Sequence, residues 1–580
     1  MTIAFQGIGI ASACSVALGP AFIDDRDQHA AAHRAIAADQ VDAELARFDQ
    51  ALESARKALR MVRNQISTDS RIHAAEFLDV HLLMLDDPAM ASAIQHIVQS
   101  QLCCAEWALQ IHCERLMQVF DEMDDAYLRA RGGDVQHLVR QIQGFLREDA
   151  SPPVLADQDL IGHIVVARDL TPADAILLHQ RGAVAFVTEY GGPTSHTAIL
   201  ARSLGIPAVV GIHEATRYLQ PNEFLIVDGE TGTLLASADD NTLQHFRQRL
   251  RAIEQRQRQL RDLVDLPSRT RDGVSIKIMA NLELSEDVQV ARAAGADGVG
   301  LYRTEFLYMN RDDLPNEEEH LTNYIEILEG LDGIPITIRT LDLGMDKRTG
   351  AMADPSGGAT NPALGLRAIR LCLKEIELFR PQLRAILRAS ALGSVRLMLP
   401  LVTNLHEVET VLDLIGEIKR ELDADGLDYD PQMQIGAMIE VPGAALAARP
   451  IARRLDFLSI GTNDLIQYTL AIDRLDDAVN YLFDPTHPAI LRLIRIIIEA
   501  GAAEGVSVSM CGEMASDPRF TRLLLGMGLR EFSMQPGAIL NIKETVLNAD
   551  TQDLSARAEF LFAHLDDADP SLLLDALNAD

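Results

Sequence analysis

From Leu266 onward, short runs of apolar and β-branched residues recur eight times, mostly separated by helical patterns. They are Ile276–Ala280, Gly298–Leu301, Ile336–Arg339, Val395–Leu399, Ile435–Ile439, Phe457–Ile460, Val506–Met510 and Glu531–Ser533. Eight β/α units within roughly 300 residues predict a closed (β/α)8 barrel of the TIM type. At or just beyond the C-terminal ends of these runs stand Asn281, Arg303, Arg339, Glu440, Asn463 with Asp464, and Cys511. Active sites on this fold assemble at that rim. A strand end turning polar at solvent is ordinary for any one residue. Six such ends with functional-group side chains, two of them arginines, point to a site.

The mixture of residue types narrows the chemistry. Arg303, Arg339 and Arg474, with Lys347, offer forked or point positive charge suited to phosphate and carboxylate. Glu440 and Asp464 offer hard oxygen ligands suited to Mg²⁺, which takes a few carboxylates together with substrate phosphates and water. The expected substrate is a small, multiply charged anion bearing phosphate. The alternative, that these carboxylates merely pair with the arginines, stays open at this point.

The remainder of the chain has a different texture. Between about Asp27 and Arg147 the sole proline is Pro88 and the only glycines are Gly132, Gly133 and Gly144. Val41, Leu45, Phe48, Leu52, Ala55, Leu59, Val62 and Ile66 alternate at spacings of four and three, the signature of a long packed helix within a bundle. Strand patterns return at His163–Ala167, Val184–Thr188, Ala208–Ile212 and Phe224–Val227. These imply a small α/β domain, completed by the N-terminal strand, with the bundle inserted. The expected boundaries are 1–23 with 149–236 for the α/β domain, 24–148 for the bundle, 237–265 for a linker helix and 266–580 for the barrel.

A formal charge of −33 argues against nucleic acid or an anionic membrane surface as a partner. No stretch reaches the ~18 uninterrupted apolar residues of a membrane span. Six cysteines without a C-x-x-C pair suit a reducing compartment, so a cytoplasmic protein is expected. No Walker loop, no G-x-G-x-x-G after a strand and no Ser/His/Asp or Cys/His order is legible.

A second centre lies at Gly191-Gly192-Pro193-Thr194-Ser195-His196-Thr197-Ala198. A strand runs into two glycines, then hydroxyls, then a histidine opening an Ala/Leu-rich helix. Free amides at a helix start stabilise added negative charge, so His196 is placed to carry a phosphoryl group covalently.

G-G-P-T-S-H-T-A-I-L-A-R resembles the phosphohistidine signature of phosphoenolpyruvate-utilising enzymes. D-F-L-S-I-G-T-N-D-L-I-Q-Y, around Asp464, resembles their second signature. G-V-G-L-Y-R-T-E-F-L-Y-M, I-R-T-L-D-L-G-M-D-K, N-P-A-L-G-L-R-A-I-R, G-A-M-I-E-V-P and the C-G-E-M at Cys511 follow in family order. With the helical insertion, the whole chain resembles Enzyme I of the bacterial sugar phosphotransferase system. That resemblance implies a homodimeric transferase that takes phosphate from phosphoenolpyruvate and feeds sugar transport. His196 would be the phosphohistidine, and Cys511 the proton donor. Arg303, Arg339, Asn463 and Arg474 would bind substrate, and Glu440 and Asp464 would hold Mg²⁺. Segment 24–148 would dock an HPr-like phosphocarrier, the α/β domain would swivel, and the barrel would dimerise. Pro193, Ala175 and Tyr302 depart from the family pattern, standing where a basic residue, a threonine and a leucine are frequent. A dikinase-type relative would need an ATP-binding unit before the histidine domain, and none is visible.

Overall fold

The computed structural model describes residues 2–10, 15–24, 33–65, 82, 84–121, 135, 138–139, 142–146, 159–170, 172–192, 195–285, 287–308, 311, 313–343, 363–474, 476 and 479–579, with positions 61–65, 88, 121, 172, 173, 196, 199 and 203 described in backbone only. Lys347, Pro193 and Ile66, all singled out in the sequence, lie outside this set. The chain divides into two compact units, Met1–Arg256 and Gln257–Asp580.

In the first unit an eight-stranded sheet carries β1 (Ile3–Gln6), β2 (Ile8–Ile10), β3 (Val16–Asp24), β4 (Ile164–Ala167), β5 (Ala185–Thr188), β6 (Ala208–Val210), β7 (Phe224–Asp228) and β8 (Thr233–Ala236) in the order β1-β8-β7-β3-β4-β5-β6-β2. Its parallel centre is β3-β4-β5-β6, flanked by antiparallel pairs. The sequence pointed to one N-terminal strand; there are three, and β8 was not foreseen. β1 and β2 lie on opposite edges yet are separated by Gly7 alone, so the sheet must curl to bring its edges together. A side chain at Gly7 would meet the Val210 carbonyl at 2.6 Å, which is why the crossing needs glycine. β2 and β8 are too short and too glycine-flanked to register as alternating runs.

Between β3 and β4 lie the helices Val41–Gln65, Pro88–Gln101 and Ala105–Asp121. The stripe read from sequence is their core: Phe48, Leu52, Ala55 and Leu59 are buried with Ile94, Val98, Ala108 and Leu109. The buried Glu44 carboxylate accepts the Ala105 N–H at 2.8 Å and pairs with Arg47 at 2.6 Å, and Arg47 also donates to the Leu146 carbonyl. One ion pair thus pins three segments. The helix Asp240–Arg261 buries no residue.

In the second unit β9 (Lys277–Leu282), β10 (Val299–Tyr302), β11 (Ile336–Arg339), β12 (Val395–Leu399), β13 (Gln434–Ile439), β14 (Phe457–Ile460), β15 (Ser507–Met510) and β16 (Glu531–Met534) pair in parallel and close, β16 on β9. All eight expected strands are present within two residues. Leu301, Met398, Met438, Phe457 and Cys511 fill the interior. Most of the apolar mass lies between strands and surrounding helices. No helix among the described residues is long and apolar enough to cross a membrane.

Behind the β10 end sits a fully buried histidine. Tyr308 Oη lies 3.2 Å from His320 Nε2 and Tyr324 Oη 3.3 Å from Nδ1, and burial pushes the imidazole pKa down to about 4. A histidine depressed in this way gives stability that is complete above its unfolded value of ~6.5 and is lost as pH falls toward 4. The gap corresponds to about 3 kcal/mol, about 2 of it between pH 7 and pH 5. The barrel's denaturant midpoint should therefore fall more over that interval in the parent chain than in His320→Gln. Equal falls would show that His320 is not the group responsible.

Candidate functional site

The rim at the C-terminal ends of the barrel strands gathers most of the residues foreseen from sequence. Asn281, at the end of β9, donates to the Cys511 carbonyl at 3.0 Å and accepts from Ser533 Oγ at 2.5 Å. Arg303, one residue past β10, pairs with Glu283. Arg339, the last residue of β11, is nearly buried and pairs with Glu305 at 3.0 Å and Asp342 at 3.0 Å. These carboxylates outweigh the desolvation of the guanidinium and hold it charged. Its Nε, with Thr340 Oγ1 and Thr462 Oγ1, is buried with no hydrogen-bond partner. Buried polar atoms are seldom left so, and donors without acceptors at a rim suit an anionic ligand.

Glu440 follows β13 and is 3% exposed. Its Oε1 accepts the Leu401 N–H at 2.7 Å. Leu401 adopts φ 52°, a left-handed conformation costing a bulky residue about 1–2 kcal/mol, and it lies two residues past β12. A side chain on Gly461 would come within 2.6 Å of Glu440 Oε2, so the β14 end must be glycine for this carboxylate to fit. One oxygen each from Asp342, Glu440 and Asp464 lies within 4.8 Å of the others. Burial first, then the Asp464 and Asp342 charges, drive the Glu440 carboxyl well above the usual carboxylate range. Three carboxylates this close, at least one resisting ionisation, form a donor set that a hard divalent cation would relieve.

Asn463 and Glu513 are reciprocally bonded, Nδ2 to Oε1 at 3.0 Å and the Glu513 N–H to Oδ1 at 2.9 Å. Arg474 reaches the same carboxylate at 3.9 Å. Cys511, directly after β15, accepts from Ser459 Oγ at 3.3 Å and is 5% exposed. Burial pushes the thiol up to about 11, rather than leaving it near its ordinary value of ~8.5, so it is protonated at neutral pH.

Sequence reasoning quoted the stretches containing Asp342 and Arg367 without singling either out. Asp342 stands three residues beyond Arg339 and bridges it to Arg367, which donates to Asp342 at 2.9 Å, lies 3.5 Å from Asp464 and donates to Tyr468 Oη at 3.1 Å. The available signal was the charge of Asp342 three residues after Arg339, and of Arg367 three residues before Arg370. Glu305 and Glu513, which also hold arginines, stand in quoted stretches without having been singled out, and Glu283 lies outside all of them.

The other centre belongs to the first unit. Ser195 caps the helix His196–Leu204, its side chain accepting the Ala198 N–H, and Gly205 ends the helix in the left-handed conformation. Gly191, at φ 111°, makes the turn out of β5, and a side chain there would press on Ser195 Oγ at 3.0 Å. His196 is thus the first residue of a capped helix, at its amide end. Ala175 is buried and apolar in the neighbouring helix Pro172–Gln180, so no hydroxyl is supplied from that position.

Three family descriptions match the chain: the N-terminal domain of PEP-utilising enzymes over residues 7–131, their mobile domain over 161–232 and their PEP-binding domain over 257–551. The phosphoenolpyruvate-protein phosphotransferase of Cupriavidus necator is 45% identical over 571 residues, covering 96% of each chain. That of Listeria monocytogenes is 39% identical over 520 residues, covering 90% of each. Among solved structures, a chain titled Enzyme I aligns with 43% of this chain and 99% of its own, at 27% identity and a TM-score of 0.36.

Proposed function

We propose, from the premise that this chain belongs to the PEP-utilising enzymes and is a phosphotransferase, that it carries phosphate from phosphoenolpyruvate to its own His196 and on to a histidine of a small HPr-like carrier. The observation that carries this reading is the barrel rim, which gathers Arg339 with its unpartnered Nε, the unpartnered hydroxyls of Thr340 and Thr462, three close carboxylates and a protonated thiol. The imidazole nitrogen of His196 attacks phosphorus, and the bond from phosphorus to the enol oxygen breaks. The departing enolate takes a proton at C3 from Cys511 Sγ and becomes pyruvate, and the thiolate regains its proton from solvent. Arg303, Arg339, Asn463 and Arg474 bind the substrate's phosphate and carboxylate oxygens, so positioning and charge neutralisation supply most of the acceleration. Glu440 and Asp464 would hold Mg²⁺, which neutralises charge on the phosphoryl oxygens when bound.

In this reading residues 1–23 and 149–236 form the swivelling phosphohistidine domain, and 24–148 dock the carrier. Residues 237–265 connect the domains, and 266–580 form the PEP-binding barrel through which two copies pair. The protein works in the cytoplasm, at the head of a sugar-uptake phosphorelay. His196 meets its two partners from different domains, which requires a large movement about 237–265.

The two half-reactions test the assignment of the acid. Cys511→Ser should lower pyruvate formation about a hundredfold, the scale of a lost general acid. Transfer from phosphorylated carrier back to His196 protonates no carbon and should stay within about twofold of the parent. If both half-reactions fall equally, or neither changes, Cys511 is packing and the acid lies elsewhere.

A further inference from the structure

Gln382 lies on the helix Ile376–Ser390 and is fully buried, among the apolar side chains Leu378, Phe379, Leu383 and Ile386 that dock this helix on the barrel. An apolar residue would serve docking alone, because an amide taken from water costs several kcal/mol unless its hydrogen bonds are remade. The bonds of this amide leave its own helix, and it also meets the Tyr324 hydroxyl on the helix Glu317–Leu331. Its Oε1 accepts the Leu341 N–H at 3.0 Å, just past the end of β11. Its Nε2 donates to Thr304 Oγ1 at 3.0 Å, just past the end of β10. The Thr304 hydroxyl, having accepted that bond, donates its own proton to the Arg339 carbonyl at 3.0 Å. The orientation of the amide is fixed by this chain, since only its oxygen can accept from Leu341. Arg303 immediately precedes Thr304, and Arg339 is tied through its own carbonyl. One amide therefore clamps the backbones that carry the two arginines, and the carboxylate of Glu305 braces the same gap by accepting the Asp342 N–H at 2.9 Å and Arg339 Nη2 at 3.0 Å.

We infer that Gln382, acting through Thr304, is a positioning residue that sets the spacing of Arg303 and Arg339 and hence the fit of the phosphoryl group between them. This rests on the reading given under Proposed function. Gln382 touches no reacting atom; it acts on two side chains that do. Cutting the link lets the strand ends drift, and displacements near 1 Å at a reacting centre cost up to about a hundredfold in rate.

The test uses the full chain with phosphoenolpyruvate and Mg²⁺. Gln382→Leu and Thr304→Val should each lower kcat/KM for phosphoenolpyruvate by about tenfold or more, and the double variant should be little worse than either, because both cut one connection. Thr304→Ser keeps the hydroxyl and should restore the parent value. Transfer from phosphorylated carrier to His196 should be unaffected in all of them. Parent-like kcat/KM in a folded Gln382→Leu chain, additive losses in the double variant, or failure of Thr304→Ser to rescue would each overturn the inference. A parent chain that forms no phosphohistidine would instead defeat the functional reading on which it rests.

Discussion

Replacing Glu440 by Gln should lower phosphoryl transfer from phosphoenolpyruvate by about a thousandfold, and Asp464→Asn by a similar factor, while the barrel stays folded. The size follows from what is removed. A divalent cation held by these carboxylates, as proposed, would contribute several kcal/mol of charge stabilisation, and 1.36 kcal/mol corresponds to tenfold in rate. The sign of the stability change follows from the same geometry. Asp342, Glu440 and Asp464 are crowded together, and the Glu440 carboxyl resists ionisation because it is buried and, next, because of these neighbouring charges. Glutamine imitates its neutral form, so the metal-free variant should melt no lower than the parent, and the loss of activity should come without loss of fold. This pattern, in which a site is kept at the expense of stability, is expected of groups retained for chemistry. Phosphoryl transfer that survives both the substitution and thorough chelation would mean the metal assignment is wrong.

Much of this was legible before any coordinates. The eight barrel strands declared themselves because each is a short apolar run bounded by turns, and β11, β12 and β14 match the sequence boundaries residue for residue. The rim residues Arg303, Arg339, Glu440, Asp464 and Cys511 were legible for the same reason, since position after a strand places a side chain at one end of a barrel. The second layer was not. Gln382 reads as one more polar residue of an amphipathic helix that also carries Arg380, Arg384 and Arg388, and its partners lie 78 and 41 positions away in sequence. Leu401 gives no hint of its left-handed backbone, which is imposed by the carboxylate its N–H must meet. The thiol of Cys511 could be placed from sequence, but its proton affinity is a property of the interior that surrounds it.

The largest effect is expected at His196. Gly191 turns the chain in the left-handed region after β5, Ser195 caps the helix His196–Leu204, and His196 is its first residue. In the proposed reaction a phosphoryl group on His196 would be carried at the positive end of the helix, where free amides stabilise an anion by up to about 2 kcal/mol if partly buried. His196→Ala should therefore abolish transfer to any carrier while leaving the barrel able to bind phosphoenolpyruvate.

Incubating the parent chain and His196→Ala with phosphoenolpyruvate labelled in its phosphate, together with Mg²⁺, tests the account most directly. The parent should take up about one label per chain in an acid-labile, base-stable linkage, release pyruvate in equal amount, and pass the label to an added HPr-like carrier. His196→Ala should take up none. Label retained by His196→Ala, or a parent chain that stays unlabelled, would contradict the account.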